Sequence, residues 1–342
     1  MSQVNEQAAR DLVSGSFRFN TDSSKLEIYN GEAWFEIDFT SPEQHTGATR
    51  GLFYGGEAPS KTDVIQFITV DTTGDAIDFG DATYSLSSHT AFASRTRGFT
   101  MGGSLGPQPT NYANTIEFVT IASTGNATDF GDSAYNTSQR CSLASRTRGV
   151  MMGGLYGGAQ YNVIDYITMS TLGDGVDFGD LTVANNGGHA VSSPTRGLMA
   201  GGYESSDFTN VIRYITISTT GNTADFGDLT EARRYPATSA NAVRGLFAGG
   251  ASPSLTKTID FVTIASVGNA ADFGDLSTPL SEFHQGAASP TRGVFGGGAT
   301  PSLTDTIQYV QIASEADAID FGNLLAATQY AAGVSNGHGG LG

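Results

Sequence analysis

Arg292-Gly-Val-Phe-Gly-Gly-Gly, then Thr306-Ile-Gln-Tyr-Val-Gln-Ile-Ala-Ser, then Asp320-Phe-Gly-Asn, joined by two connectors, form a unit that the chain repeats six times. Its anchors are an Arg-Gly pair at Arg50, Arg97, Arg148, Arg196, Arg244 and Arg292 and an Asp-Phe-Gly triplet starting at Asp78, Asp129, Asp177, Asp225, Asp272 and Asp320. Successive copies stand 47 to 51 residues apart. A period of that size, with a glycine pair and several short apolar runs, predicts the blades of a β-propeller, since no single unit can bury both its faces alone.

Each unit divides into four runs. The first is small and apolar (Ala190-Val-Ser-Ser, Gly286-Ala-Ala-Ser), the second reads like Arg-Gly-Leu-Phe-Ala-Gly-Gly, the third like Ile259-Asp-Phe-Val-Thr-Ile, and the fourth ends in Asp-Phe-Gly-Asp. Along the third run, Ile259 and Phe261 point one way and Val262 and Ile264 the other, so both faces are apolar. That suits a sheet sandwiched between two neighbours. Glycine pairs at 55–56, 102–103, 153–154, 201–202, 249–250 and 296–297 let backbones approach closely.

The first run occurs a seventh time as Gln329-Tyr-Ala-Ala-Gly-Val-Ser, followed by His338-Gly in the Arg-Gly slot. That extra strand is expected to pair with the first blade, replacing or abutting Gln44-His-Thr-Gly-Ala, and to close a ring of six. The fold expected is all-β, a six-bladed propeller over residues 43–342 preceded by a small module over residues 1–42.

Within that module, residues 1–13 suggest a short helix or a flexible arm, with Ser2 as a cap. Ser16–Ile37 alternates apolar and polar residues around Asp22-Ser-Ser and Asn30-Gly31, which predicts a three-stranded meander too small to be stable alone. It carries the only tryptophan, Trp34.

Composition narrows the function. With 45 glycines and 15% charged residues in 342, the chain is a folded one. The formal charge of −17 and only three lysines (Lys25, Lys61, Lys257) argue against nucleic acid as a partner. The single cysteine, Cys141, rules out an internal disulfide framework. No apolar run approaches 18 residues and the start lacks a signal-peptide pattern, so a soluble protein without membrane insertion or a classical leader is expected.

Two resemblances rest on these motifs. Phe17-Arg-Phe-Asn-Thr-Asp, Lys25-Leu-Glu-Ile-Tyr-Asn-Gly and Trp34 resemble a module found near the ends of bacteriophage tail and virion proteins. The Gly-Gly, Thr-Arg-Gly and Asp-Phe-Gly-Asp elements resemble the kelch-like propeller repeats of virion proteins of tailed phages, cyanophages among them, over roughly 300 residues. The units depart from cellular kelch motifs, which place a Tyr and a Trp downstream of the glycines. The resemblance implies a non-enzymatic virion structural protein, a tail, tail-fibre or appendage component assembled in the host cytoplasm. It implies attachment to other virion proteins through residues 1–42, a propeller face for a host-surface glycan or protein, and leaves a homo-oligomer open. The alternative is a lectin-like secreted or surface propeller.

The chemistry-bearing motifs read mostly as scaffold. Asp-Phe-Gly holds Mg in protein kinases, but six copies without a His-Arg-Asp loop or strand lysine belong to the repeat. Phe79, Phe130, Phe178, Phe226, Phe273 and Phe321 are expected to stack between blades. The repeated arginines are candidates to pair with Asp81, Asp132, Asp180, Asp228 and Asp275, contributing about 0–1 kcal/mol each if exposed. No sialidase box accompanies them, and nothing around Cys141 matches a radical-copper oxidase. His45, His89, His189 and His284 stand at the entrance to first strands, where a ring of them around a channel mouth would suit a divalent cation, but they read as ordinary loop histidines; neither metal nor cofactor is expected.

Loops after the first and third strands are nearly constant, whereas those after the second and fourth vary. The variable set includes Ser104-Leu-Gly-Pro-Gln-Pro-Thr-Asn-Tyr-Ala-Asn, Leu155-Tyr-Gly-Gly-Ala-Gln-Tyr-Asn, Tyr203-Glu-Ser-Ser-Asp-Phe-Thr-Asn, Ala134-Tyr-Asn-Thr-Ser-Gln-Arg, Glu231-Ala-Arg-Arg-Tyr and Ser281-Glu-Phe-His. Variation confined to one face of a rigid scaffold marks a candidate recognition surface. Its aromatic residues are Tyr112, Tyr135, Tyr156, Tyr161, Tyr203, Phe208 and Tyr235, set among Asn, Ser and Gly as in glycan- or protein-binding loops.

Overall fold

The computed structural model describes residues 13–20, 25–37, 48–57, 59–106, 111–252, 254–280, 286–300 and 302–342. The N-terminal arm, His45, His284 and the expected strand around Gln44 lie outside them. Two compact units are present, Met1–Thr46 and Gly47–Gly342. The expected boundary at 42–43 also falls outside the described residues.

In the first unit, Phe17–Asn20, Lys25–Tyr29 and Trp34–Ile37 form an antiparallel meander. The register sets Phe17, Ile28 and Phe35 side by side. Phe17, Phe19 and Phe35 are each more than half exposed. On the other face Arg18 pairs with Glu27 at 2.6 Å and lies over the Trp34 ring at 4.4 Å.

The second unit is all-β, built from small antiparallel four-stranded sheets, as in a β-propeller. In chain order of their second strands, the sheets are Ala332–Ser335 with Arg50–Tyr54, Thr62–Thr69 and Ile77–Leu86; Thr90–Ala93, Arg97–Met101, Thr115–Thr120 and Thr128–Asp132; and Cys141–Ala144, Arg148–Met152, Val163–Thr168 and Val176–Asp180. There follow His189–Ser192, Arg196–Ala200, Val211–Thr216 and Ala224–Asp228; Ala237–Ala240, Arg244–Ala248, Thr258–Thr263 and Ala271–Asp275; and Ala287–Ala288, Arg292–Gly296, Thr306–Gln311 and Ile319–Asn323. These are the first to sixth sheets below.

The first sheet takes its first strand from the far end of the chain. Val334 stands opposite Leu52 and Ala332 opposite Tyr54. Asn336 then accepts the Arg50 N–H at 2.9 Å, a cap that Ser94 supplies for Arg97 and Ser145 for Arg148 in later sheets. Each first strand touches the first strands of the sheets before and after it, with Ala332–Ser335 contacting both Ala287–Ala288 and Thr90–Ala93. These strands are spelled with Ala, Ser, Thr and Gly because they crowd together; Ser142 Oγ, for instance, donates to the Ala91 carbonyl at 2.8 Å.

The two apolar faces of a third strand feed two different cores. Ile259 and Phe261 pack with Phe273, Phe295 and Ile312 between the fifth and sixth sheets. Val262 and Ile264 pack with Leu198, Phe226 and Phe247 between the fourth and fifth. Six such clusters occur among the described residues, one of them joining Phe53, Ile68 and Val70 of the first sheet to Val294, Ile307 and Phe321 of the sixth. A buried Phe contributes roughly 1.5–3 kcal/mol by removal from water, so these clusters dominate stability over exposed ion pairs.

One position differs from the sequence reading. The sixth glycine pair is Gly297–Gly298, at φ +74° and +100°, whereas Gly296 is the last residue of a strand. Three consecutive glycines make the register ambiguous in the sequence. The chain turns where positive φ is needed.

Candidate functional site

The constant loops are clamps between sheets. In each repeat the loop after the third strand reaches the Asp-Phe-Gly strand of the preceding sheet. Gly221 N–H donates to the Phe178 carbonyl at 2.7 Å, Thr223 N–H to Asp180, and Asn222 Oδ1 accepts the Asp180 N–H at 3.0 Å. The same cap is made by Asn126 for Asp81, Asp174 for Asp132, Asn269 for Asp228, Asp317 for Asp275 and Asp75 for Asn323. The Gly of Asp-Phe-Gly is there for this approach: a Cβ on Gly227 would stand 2.4 Å from the Gly268 carbonyl oxygen.

The repeated arginines belong to the same system, and the suggested pairing with the last Asp of Asp-Phe-Gly-Asp is wrong. Each guanidinium lies over a third-strand ring of its own sheet, at 4.5–4.9 Å: Arg50 on Phe67, Arg97 on Phe118, Arg148 on Tyr166, Arg196 on Tyr214, Arg244 on Phe261 and Arg292 on Tyr309. Each Nη1 donates to a carbonyl at the end of the next third strand, from Arg50 to Ile121 through Arg244 to Ile312, and from Arg292 to Val70. The ring beneath the arginine in turn meets the Asp-Phe-Gly phenylalanine edge-on, at 5.8–6.2 Å, in all six sheets. All six of those phenylalanines are buried.

The chain's last described segment occupies the same side. His338 Nε2 lies 2.8 Å from the Ala93 carbonyl, and its Nδ1 accepts the Gly340 N–H at 3.1 Å. Arg95 and Arg146 donate to the Leu341 and Gly342 carbonyls at 2.8–3.1 Å. Leu341 is buried, and a Cβ on Gly339 would strike the Ser192 and Asn241 carbonyls. Burial pushes the His338 imidazole down to about 4. A small cavity of about 50 Å³ is lined by first-strand residues of all six sheets together with His338 and Gly339.

The variable loops build the opposite face. After the second strand they form two-residue hairpins, Leu155–Tyr156 with Ala159–Gln160 and Tyr203–Glu204 with Asp207–Phe208. Leu155 and Tyr203 bridge to Ser138 and Asn186, which follow the fourth strands of the preceding sheets. Just before the first strands, Ser88, Gln139, Gly187, Tyr235 and Tyr330 all adopt φ between +53° and +69°. Gln139, Gly187 and Tyr235 each donate a backbone N–H to the previous residue of this series, at 2.8–3.1 Å. The Tyr235 and Tyr330 rings meet edge-on at 6.3 Å.

A cleft of about 550 Å³ opens on this face, lined by Gln139, Gln160, Asn186, Tyr203, Arg234 and Tyr235 among others. That volume lies within the range of roughly 300–1,000 Å³ usual for ligand pockets. Its amides are ordered by one another: Gln160 Nε2 donates to Asn186 Oδ1 at 3.0 Å, and Asn186 Nδ2 to Gln139 Oε1 at 2.6 Å. Arg234 stacks over Phe208 at 5.5 Å and Tyr235 at 5.0 Å. A second cleft of about 620 Å³ gathers Glu57, Lys61, Ser104 and Tyr330. Burial lowers the Lys61 ammonium despite the opposing pull of Glu57, and its donors go to Ser104 Oγ and the Gly106 carbonyl.

The predicted aromatic residues therefore separate. Tyr203 and Tyr235 line the first cleft, with Phe208 behind Arg234. Tyr112 and Tyr156 pair with each other at 5.6 Å, Tyr112 buried and Tyr156 exposed. Tyr135 lies near Arg140, and Tyr161 is half-buried. Tyr112 and Tyr235 are both buried, and of the two Tyr235 also lines the cleft. Sequence reasoning did not single out Gln139, Gln160, Asn186 or Arg234, although Gln139, Gln160 and Arg234 belong to the quoted loops that start at Ala134, Leu155 and Glu231.

The remaining candidates are structural in their surroundings. His89 and His189 are buried, and burial pushes His89 down to about 4. Among the described residues, no group of three His, Cys, Asp or Glu side chains could hold a metal. Cys141 is buried and its thiol is pushed up to about 12 by burial. Arg140 and Arg233, which precede the first strands of the third and fifth sheets, form fully buried ion pairs with Asp165 and Asp260. No described helix is long and apolar enough to cross a membrane.

Compared with known proteins, the chain matches no protein-family model and no curated relative.

Proposed function

We propose that residues 47–342 form a six-bladed propeller closed by Ala332–Ser335, and that the chain is a non-enzymatic virion structural protein of a tailed phage. In this reading it is a tail, tail-fibre or appendage component, attached through its N-terminal unit and presenting its variable face to a host-surface glycan or protein. The observation that carries the binding role is the division of labour between the faces. Constant loops are consumed in clamping neighbouring sheets and in seating His338–Gly342. The opposite face holds short hairpins that differ from sheet to sheet and two open clefts. The virion assignment is supported by the likeness of Phe17–Trp34 and of the repeat to phage proteins.

Mass spectrometry of purified phage particles is the test. The chain should be present at a fixed stoichiometry with structural proteins, and a Fab directed at the Tyr203–Phe208 hairpin should decorate the particle and block adsorption. Recovery only as free protein in the medium would favour the lectin-like secreted reading, for which the polar cleft is the supporting observation.

A further inference from the structure

We propose that the cleft around Arg234 is a subsite for a saccharide carrying a carboxylate, a sialic or uronic acid, with Arg234 as the group that receives the carboxylate. The proposal rests on the binding role of the variable face and names its ligand.

In a chain of net charge −17, the described residues lining this cleft include no acid and a single cation. Of the acids in the flanking loops, Asp207 Oδ1 accepts the Phe208 N–H at 2.8 Å. Glu204 takes both Nη atoms of Arg213, at 2.5 and 3.0 Å, and Glu231 accepts from Thr256 Oγ1 at 2.7 Å. Among the described residues Arg234 has neither an ion-pair partner nor a side-chain hydrogen bond, and its Nε is shut off from solvent. Contact with the Phe208 and Tyr235 rings restrains the guanidinium, so less side-chain freedom is lost when a ligand arrives. A planar fork held this way matches a carboxylate with two parallel bonds, which an ammonium cannot do.

The rest of the lining suits sugar hydroxyls better than a peptide. The mutual bonding of Gln160, Asn186 and Gln139 leaves the Gln139 Nε2 donor unused among the described residues. The rim turn is Ser205–Ser206, at φ +50° and +102°, where the preceding hairpin has Gly157–Gly158 at φ +59° and +81°. Serine in that conformation is strained, and it brings two hydroxyls to the cleft that glycine would not. Leu155 is the one large aliphatic residue among the described residues of the lining, too little for the apolar pockets that a peptide needs.

The experiment is calorimetric titration of the full chain with sialyllactose, with oligogalacturonate, with the carboxyl-reduced form of each, and with neutral lactose. One acidic sugar should bind, at least tenfold more tightly than its reduced form, and more weakly as NaCl is raised. Arg234→Gln and Arg234→Lys should each weaken that binding at least tenfold, with thermal midpoints reported for both to exclude unfolding. Lys257→Gln, in neither cleft, should leave it unchanged. Which acid binds distinguishes the two ligand sources. Equal affinity for the reduced sugars, an unaffected Arg234→Lys, or no binding of either acid overturns the proposal. Binding of the neutral sugar, or adsorption still blocked by the hairpin Fab, would then show that the recognition role stands while its acidic ligand does not.

Discussion

Arg292 donates from Nη1 to the carbonyl oxygen of Val70, 3.2 Å away and 222 positions back in the chain. It is the same bond that Arg148 makes to Ile217, 69 positions ahead. One rule of contact, a guanidinium over its own ring reaching the next third strand, thus joins the sixth sheet to the first as it joins the third to the fourth.

Arg148→Ala and Arg292→Ala are predicted to cost the same, about 2 kcal/mol each, from a partly desolvated cation–π contact and a charged hydrogen bond. Asp180→Asn should stay within about 0.5 kcal/mol, because it is the Asp180 backbone N–H that is used. Urea unfolding of the three variants measures this. A harmless Arg292→Ala beside a costly Arg148→Ala would mean the sixth and first sheets are not joined.

Gly227→Ala and Gly221→Ala separate close approach from loop freedom. Nothing lies within 4 Å of a Cβ on Gly221, so only the strain of a side chain at φ +155° is expected, about 1 kcal/mol, and the sixth repeat accommodates Ala316 at that loop position without a positive φ. On Gly227 the Cβ meets the Gly268 carbonyl oxygen, and a cost above about 2 kcal/mol is predicted. Thermal midpoints of the two variants decide between them.

Stability should fall on mild acidification. Unfolded histidines titrate near 6.5, whereas burial holds His89 and His338 down to about 4 in the folded chain. Between those values the unfolded state binds more protons, so stability is full above about pH 6.5 and is lost as the pH falls toward 4. At His338 a second proton would also remove the Nδ1 acceptor for Gly340. Urea midpoints from pH 7.5 to 4.5 should decline, and His89→Asn should flatten the slope. A flat profile in the parent chain contradicts these placements.

Breaking one partner of the buried pair Arg233–Asp260 leaves a charge inside the protein. Asp260→Asn is predicted to destabilise by about 3–5 kcal/mol. The same unfolding assay measures it, and a loss below 1 kcal/mol would show that water reaches Arg233.

The fold was legible because its determinants repeat. Six Arg-Gly pairs and six Asp-Phe-Gly triplets at one period announce stacked units, and the spare Gln329–Ser335 run announces the extra strand. The arginine partners were not legible: they are backbone carbonyls about 70 positions away, and a carbonyl leaves no mark in a sequence. The cleft was half legible. Tyr203 and Phe208 stood out as aromatic residues in variable loops, but Gln139, Asn186 and Arg234 come from three separate connections, brought together only by the packing of neighbouring sheets. The burial of Tyr112 and Tyr235 was not legible either, because a tyrosine in a loop reads alike whether it faces solvent or fills the space beside another ring.

An experimental density map of the purified chain tests the central claim most directly. Six four-stranded sheets about one axis are predicted, with Ala332–Ser335 hydrogen-bonded to Arg50–Tyr54 and His338–Gly342 seated against Arg95 and Arg146. Any other number of sheets, or Ala332–Ser335 found apart from Arg50–Tyr54, would contradict the closed ring and with it the assignment of the two faces.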